Sequence, residues 1–290
     1  MILKVYVKTK YDNTLKMEIP HSPNIAIAMY GFREMGAELV PYHEISDIYS
    51  IVKREDIVLD YIDQCKTIFN KFNITPNIPN YPEELKNYLG RKIWEDTIDN
   101  ISADESKWSA GWFIKPKREK AFTGKIVSSI HDLVGCGNST ENYEVLCSEP
   151  LDIKSEWRCF ILHDEIIDIR PYGLLMDNTK KETPSWYYHY DTCKVKKMLE
   201  AFKTISNRPA ACSMDIAVTI KHTNQKVSKF NDNGELEQIG TRDIKEEQTV
   251  LIEFNDCYAL GNYGLPSIYY AKMISARWSQ LLGVKDSFNF

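Results

Sequence analysis

The residues best equipped for chemistry stand late in the sequence, in TVLIEFND, where Glu253 and Asn255 lie two apart on a predicted strand and so project from one face. Their oxygens are hard ligands, the kind Mg²⁺ accepts together with water and phosphate oxygens. A third such ligand, Asp215, sits on another strand candidate, ACSMDIAVTI. A long polar stretch joins the two strands; if they pair antiparallel across it, Asp215 and Glu253 face each other. Alternating polar residues also line the wet face of any half-buried sheet, so the pattern alone leaves both readings open.

Cations suited to a polyanionic ligand come earlier. Lys115 ends the strand candidate WFIKP, where Pro116 stops regular pairing, and a basic loop, KPKREKAFTGK, carries Thr123, Gly124 and Lys125 at its end. Backbone amides of a glycine-containing turn, with lysines beside them, can cradle phosphates. The spacing is not that of a P-loop. Lys92, in GRKIWEDT, is either a further phosphate cation or a solvated lysine. In SEPLDIKSEWRCFIL, Glu149 and Glu156 are seven apart and Arg158 is two beyond. Two carboxylates at that distance fit an acid and a base. A nucleotide site explains them otherwise: backbone near Glu149 meets adenine, Glu156 takes the ribose hydroxyls, and Arg170 sets its planar fork against a γ-phosphate. Surface ion pairs are the bland alternative.

Seven cysteines without a C-x-x-C pair read as reduced, buried thiols in a cytoplasmic protein. Cys257, in FNDCYALGN, is a nucleophile candidate with no histidine near it in sequence to serve as base.

The elements that must position these residues follow from periodicity. A strand is predicted from Ile2 to Thr9, a helix from Ser22-Pro23 to Gly36, and a short strand from Glu38 to Tyr42. IVLDYIDQCKTIFNKF reads as a strand running into a helix, and PEELKNYL as a helix with proline in its first turn and Gly90 after its last. This alternation predicts a parallel sheet. Beyond it, WFIKP, KIVSSI, YEVLCSE, EWRCFILHDEIIDIRPYG, ACSMDIAVTI and TVLIEF are strand candidates, the fourth a hairpin turning at His163-Asp164. Two amphipathic helices, CKVKKMLEAFKTI and IYYAKMISARWSQLL, complete an α+β body. The polar stretch from Ile220 to Gln248, with its turn signal Asn231-Asp232-Asn233-Gly234, predicts a protruding hairpin or mobile loop. The aromatic run SWYYHY, Ser185 to Tyr190, suits a substrate pocket, a core or an interface equally.

Composition bounds the function class. Thirty-six lysines and arginines against 41 aspartates and glutamates, net charge -5, give nucleic-acid binding no support. No apolar run reaches the roughly 18 residues of a membrane span, and the N-terminus lacks the pattern of a signal peptide.

In this order, the lysine of RKIWEDT, the lysine of FIKP with the FTGK loop, CSEP, EWR, RPYG, the aspartate of MDIAVT and the E-x-N of EFNDCYALGNYGL resemble the ATP-grasp superfamily over roughly Arg91 to Leu265. The resemblance implies an α+β ATP-grasp fold in three parts. These are a small N-terminal α/β domain (1-90), a lid subdomain (91-150) and a C-terminal antiparallel-sheet domain with the metal site (151-290), ATP lying between the last two. It implies a cytoplasmic ATP- and Mg²⁺-dependent ligase joining a small-molecule or peptide carboxylate to an amine through an acyl phosphate. A small-molecule kinase or a noncatalytic nucleotide-binding module would use the same residues. By the same resemblance Lys92 and Lys115 contact ATP, Thr123, Gly124 and Lys125 cover its phosphates, and Glu149, Pro150 and Leu151 hold adenine. Glu156 binds ribose, Arg170 the γ-phosphate, and Asp215, Glu253 and Asn255 the metal. The chain departs from the commoner pattern in its basic, single-glycine loop and in the continuation NDCYALGNYGL. That continuation leaves the acceptor side unassigned, and Arg158 and Asn262 join Arg170 as catalytic candidates.

Overall fold

The structure, a computed structural model, describes residues 3–76, 80–117, 121–137, 141–172, 187–230 and 236–289. The start of the first predicted strand at Ile2, Arg118 to Lys120 of the basic loop, Ser185-Trp186 of the aromatic run and the turn signal from Asn231 to Gly234 lie outside the described residues.

The strands are β1 (Lys4–Asp12), β2 (Met17–Pro20), β3 (Glu38–Tyr42), β4 (Ile57–Leu59), β5 (Ile93–Thr97) and β6 (Trp112–Pro116). Next come β7 (Lys125–Val127), β8 (Glu144–Ser148), β9 (Ile153–Leu162), β10 (Glu165–Tyr172), β11 (Ala211–Phe230) and β12 (Leu236–Asp256). Helices are α1 (Pro23–Glu34), α2 (Ile45–Tyr49), α3 (Ile62–Lys71), α4 (Ile98–Ser102), α5 (Glu105–Trp108), α6 (Thr192–Lys203) and α7 (Ser267–Leu282). Contacts gather them into two compact units: Met1–Tyr88 with Ser155–Val218 and Thr249–Phe290, and Leu89–Lys154 with Thr219–Gln248.

In the first unit β1 lies between β3 and β4, parallel to both, and its far end pairs antiparallel with β2. The parallel core was expected from the strand–helix alternation. Strand β2 was not, because Met17–Pro20 is only four residues long and buries none of them fully, so no apolar alternation marks it. Helix α1 forms as its sequence dictates: Ser22 caps it by accepting from Ile25 N, Pro23 opens it, and Gly36 follows in the left-handed region at φ 83°. The segment PEELKNYL is a 3₁₀ turn, Glu83–Tyr88, rather than an α-helix. It buries only Leu85, too little to hold a full α-helical face.

Helix α7 departs further from expectation. Its spacing predicts an amphipathic helix, yet Tyr270, Ala271, Met273, Ile274, Ala276, Trp278 and Leu282 are buried together with Ser275, Arg277 and Ser279, so it is a central element covered nearly all round. Buried Arg277 is compensated by a two-pronged ion pair with Asp256, both bonds 2.7 Å. Helix α1 passes its N-terminus so closely that a Cβ on Gly31 would stand 2.1 Å from Ser267 O.

The same unit holds the strand order β10-β9-β11-β12. The β9–β10 hairpin turns at His163 and Asp164, both at positive φ (48° and 68°), as the turn chemistry predicts. Asp164 is clamped by the Arg208 guanidinium at 2.6 Å on both oxygens. Helix α6 packs on this sheet, Phe202 stacking on Phe254 at 5.5 Å.

The second unit is built on the antiparallel order β5-β8-β6-β7, with Ile98, Ile101, Ile114, Val127, Leu133, Val145 and Cys147 at its core. Of KIVSSI only Lys125–Val127 is strand, because Ser129 and Asp132 form a capping box that starts a 3₁₀ turn. Strand β5, in GRKIWEDT, was not anticipated; five residues between a glycine turn and a helix give too short a pattern. The polar stretch is a long hairpin: β11 and β12 continue through it, with Thr223 Oγ1 donating to Ile244 O. Its side chains from Lys221 to Lys229 and from Gly240 to Glu247 are exposed. Joining Asn224 to Asp243 through an Asn-Gly turn should therefore leave the thermal midpoint within about 2 °C of the parent, measured by calorimetry, since exposed segments contribute little to burial.

Candidate active site

In the first unit, Asp215 on β11 and Glu253 and Asn255 on β12 are brought together. Asn255 Nδ2 donates to Asp215 Oδ2 at 2.9 Å and to Glu253 Oε1 at 3.3 Å. An amide N–H wedged between two carboxylates does the work a small cation would do there. Rotating that amide presents its oxygen instead, which N/O exchange permits without moving the backbone. Among the described residues no group of three or more His, Cys, Asp and Glu gathers to hold a metal ion. Two carboxylates and one amide oxygen are too few for a closed zinc or calcium cage. They fit Mg²⁺, which keeps positions for water and phosphate oxygens.

Asp215 is 1% exposed and Arg158, on β9, 3% exposed. Arg158 Nε donates to Asp215 Oδ1 at 2.8 Å and Nη2 to Oδ2 at 2.6 Å. Burial pushes the Asp215 carboxyl above the usual carboxylate range, Glu253's charge adds to it, and the Arg158 and Asn255 hydrogen bonds oppose it. Burial would lower Arg158, but the Asp215 carboxylate outweighs this and holds the guanidinium charged. A buried ion pair of this kind is weak as a stabiliser of the fold, and breaking one side costs about 3–5 kcal/mol. Its retention on the face that carries the oxygen ligands points to function.

The guanidinium also lies against two aromatic rings, Tyr172 at 4.2 Å and Tyr263 at 4.6 Å from its carbon. Burial pushes the Tyr172 hydroxyl up to about 12, Asp215 adding to the rise and Arg158 opposing it. Opposite Arg158 in the β9–β10 register stands Arg170, with Tyr172 opposite Glu156. Arg170 Nε donates to Asp168 Oδ2 at 2.8 Å, which takes one edge of its fork. The sequence offered no sign of Asp168, Tyr172 or Tyr263 as members of this cluster; only strand register places the first two beside the candidates.

Asn262 is 3% exposed, and its amide is engaged in its own turn, Nδ2 donating to Leu265 O at 2.6 Å and Oδ1 accepting from Gly264 N at 2.9 Å. Its expected catalytic contact is thus corrected to a turn-forming role. Cys257 is fully buried, and burial followed by Asp256's charge pushes its thiol far up, so it is no nucleophile. Cys193, at the start of α6, is exposed rather than buried as expected.

In the second unit, β6 places Lys115 opposite Leu146 of β8, and Ile114 of β6 pairs with Lys125 of β7. A Cβ on Gly124 would meet Phe113 Cζ at 2.7 Å and Lys115 Cβ at 3.2 Å. The glycine therefore lets the FTGK segment close onto the strand that carries Lys115. Lys125 Nζ donates to Val134 O at 3.3 Å, while Thr123 is exposed. Lys92 and Glu149 are joined through backbone: Lys92 N donates to Glu149 Oε2 at 3.0 Å and Glu149 N to Lys92 O at 3.3 Å. Pro150 and Leu151 follow in the link to β9, whose backbone folds back through Ile153 N to Leu151 O at 3.0 Å. By strand alternation, Ile93, Phe113 and Leu146 share Lys115's side of the sheet, half-buried. They make an apolar platform that sequence reading missed, because β5 itself was not recognised.

A family model described as an ATP-grasp domain, the second family of its clade, matches residues 88–273. No curated protein matches the chain. Among solved structures it is similar to a D-alanine–D-alanine ligase from Bacillus anthracis complexed with ATP, at 14% identity, TM-score 0.46 and 98% of both chains. It is also similar to an N5-carboxyaminoimidazole synthase from Aspergillus clavatus in complex with ADP and 5-aminoimidazole ribonucleotide, at 9% identity, TM-score 0.47, 97% of this chain and 77% of that one.

Proposed function

This chain belongs to the ATP-grasp superfamily, and from that premise we propose that it is a magnesium-dependent ligase joining a carboxylate to an amine at the expense of ATP. The observation that carries the reading is the convergence of Asp215, Glu253 and Asn255 on the sheet face that also bears Arg158 and Arg170. Mg²⁺, when bound by these three, would supply charge neutralisation for the phosphate oxygens. The protein's own share is positioning and electrostatics, with no side-chain nucleophile required. Arg170 would set its open edge against the γ-phosphate as a substrate carboxylate attacks, and Glu156 would take the ribose hydroxyls. In the lid subdomain, 91-150, Lys115 and Lys92 would hold phosphates under the Thr123-Gly124-Lys125 segment, with adenine on Ile93, Phe113 and Leu146 beside Glu149, Pro150 and Leu151. An amine would then displace phosphate from the acyl phosphate.

Small-molecule or peptide carboxylates and amines are the substrate class we assign. No helix among the described residues is long and apolar enough to cross a membrane, and the free cysteines suit the reducing cytoplasm in which we place it. Phosphate release should be screened over pairs of amino acids and short peptides. Release that needs both a carboxylate and an amine, with hydroxylamine replacing the amine to give a hydroxamate, is the expected result. A stable phosphorylated product formed without amine would make the protein a kinase. ATP binding with no phosphate release in any mixture would make it a noncatalytic module.

A further inference from the structure

The turn after β12 contains a local conflict. Tyr263 has φ 47°, in the left-handed region that glycine and asparagine adopt readily and a bulky side chain resists. A chain that needed only a turn here would carry one of those residues at 263. Asn262 forces the geometry: besides its two side-chain bonds within the turn, its carbonyl accepts from Leu265 N at 3.0 Å and its own N–H donates to Asn24 Oδ1 at 3.1 Å. The Tyr263 ring then folds back over Gly261, where a Cβ would stand 2.7 Å from Cε2. Any larger residue at 261 would push the ring away.

The ring is directed at Arg158. Its centre lies 4.6 Å from the guanidinium carbon, the Tyr172 ring lies at 4.2 Å, and the two rings meet edge to face at 5.0 Å. They form two walls of a corner, and Asp215 is the third contact of the same guanidinium. A planar cation pressed on ring faces loses freedom to swing, which keeps its fork aligned with both oxygens of one carboxylate.

We propose that Tyr172 and Tyr263 are positioning residues, which hold Arg158 on Asp215 and thereby fix the carboxylate orientation that the Asp215, Glu253 and Asn255 set needs to take up Mg²⁺ with a nucleotide. The proposal rests on the ligase reading for its ligand, but the positioning itself can be tested without one. The strained turn supports it: the Tyr263 ring is kept despite a backbone that disfavours it.

The discriminating variant is Tyr263→Asn, which relieves the backbone and removes the ring. It should unfold at the parent's temperature or above. Its affinity for Mg²⁺ with a non-hydrolysable ATP analogue, measured by calorimetry, should fall about tenfold or more. In nitrogen-15 spectra the Arg158 Nε–H resonance, identified by its disappearance in Arg158→Lys, should be sharp in the parent and broadened in Tyr263→Asn. Tyr172→Leu should reproduce both losses, and Tyr263→Phe should restore both, because the ring and not the hydroxyl makes the wall. An unchanged Arg158 resonance in Tyr263→Asn, or a Tyr263→Phe variant as impaired as Tyr263→Asn, would overturn the proposal. If the parent itself bound no nucleotide, the ligase reading would fall while the resonance still decided the positioning role.

Discussion

Glu253→Gln should leave a folded protein whose metal-dependent turnover is lower than the parent's by a factor on the order of a hundred to a thousand at saturating ATP and magnesium. The substitution removes one anionic ligand while nearly keeping its shape. Charge stabilisation by a bound metal is worth several kcal/mol, and each 1.36 kcal/mol is about tenfold in rate. Stability should be unaffected or slightly raised, because Glu253's charge is one of the influences that push Asp215 up. Asp215→Asn is the less clean partner experiment: it leaves Arg158, 3% exposed, without its counter-charge, and a folding loss would accompany the catalytic one. With thermal midpoints measured in parallel, the double variant should lose much less than the product of the two single losses, since the residues act as a unit. Turnover of Glu253→Gln within a few-fold of the parent would sink the metal assignment.

Lys115→Ala should weaken ATP binding by about tenfold or more. The lysine stands at the end of β6, on the half-buried side of the sheet shared with Phe113 and Leu146, so its stem can pack on apolar surface while its ammonium reaches a phosphate. Gly124→Ala should weaken binding as well by a different route. The new Cβ would lie 2.7 Å from Phe113 Cζ and hold the FTGK segment away from the strand, although no charge is lost. Calorimetric titration with ATP checks both. Equal affinity in Lys115→Ala and the parent would show that β6 carries no part of the nucleotide site.

Much of this was legible in the sequence, for identifiable physical reasons. Period-two spacing put Glu253 and Asn255 on one face without any coordinates, because alternation is a property of every strand. Ser22-Pro23 and Gly36 delimited α1 because capping and left-handed termination are local events. His163-Asp164 marked its hairpin for the same reason. What depended on contacts between distant segments stayed hidden. The surroundings of α7 turned its expected amphipathic helix into a covered one, and short, exposed β2 and β5 left no periodic signature.

At the site the division is the same. The sequence by itself determined the chemistry available: two carboxylates and an amide for a hard cation, arginines and lysines for phosphate, a glycine beside one of the lysines. Only the tertiary structure decided how those groups are used. It paired Asp215 with Arg158, set Tyr172 and Tyr263 against that guanidinium, gave Arg170 the Asp168 carboxylate, and enclosed Asn262 in its own turn. Residue type fixes what a side chain can donate or accept, whereas strand register and packing choose its partner, and those are set by residues far away in the chain.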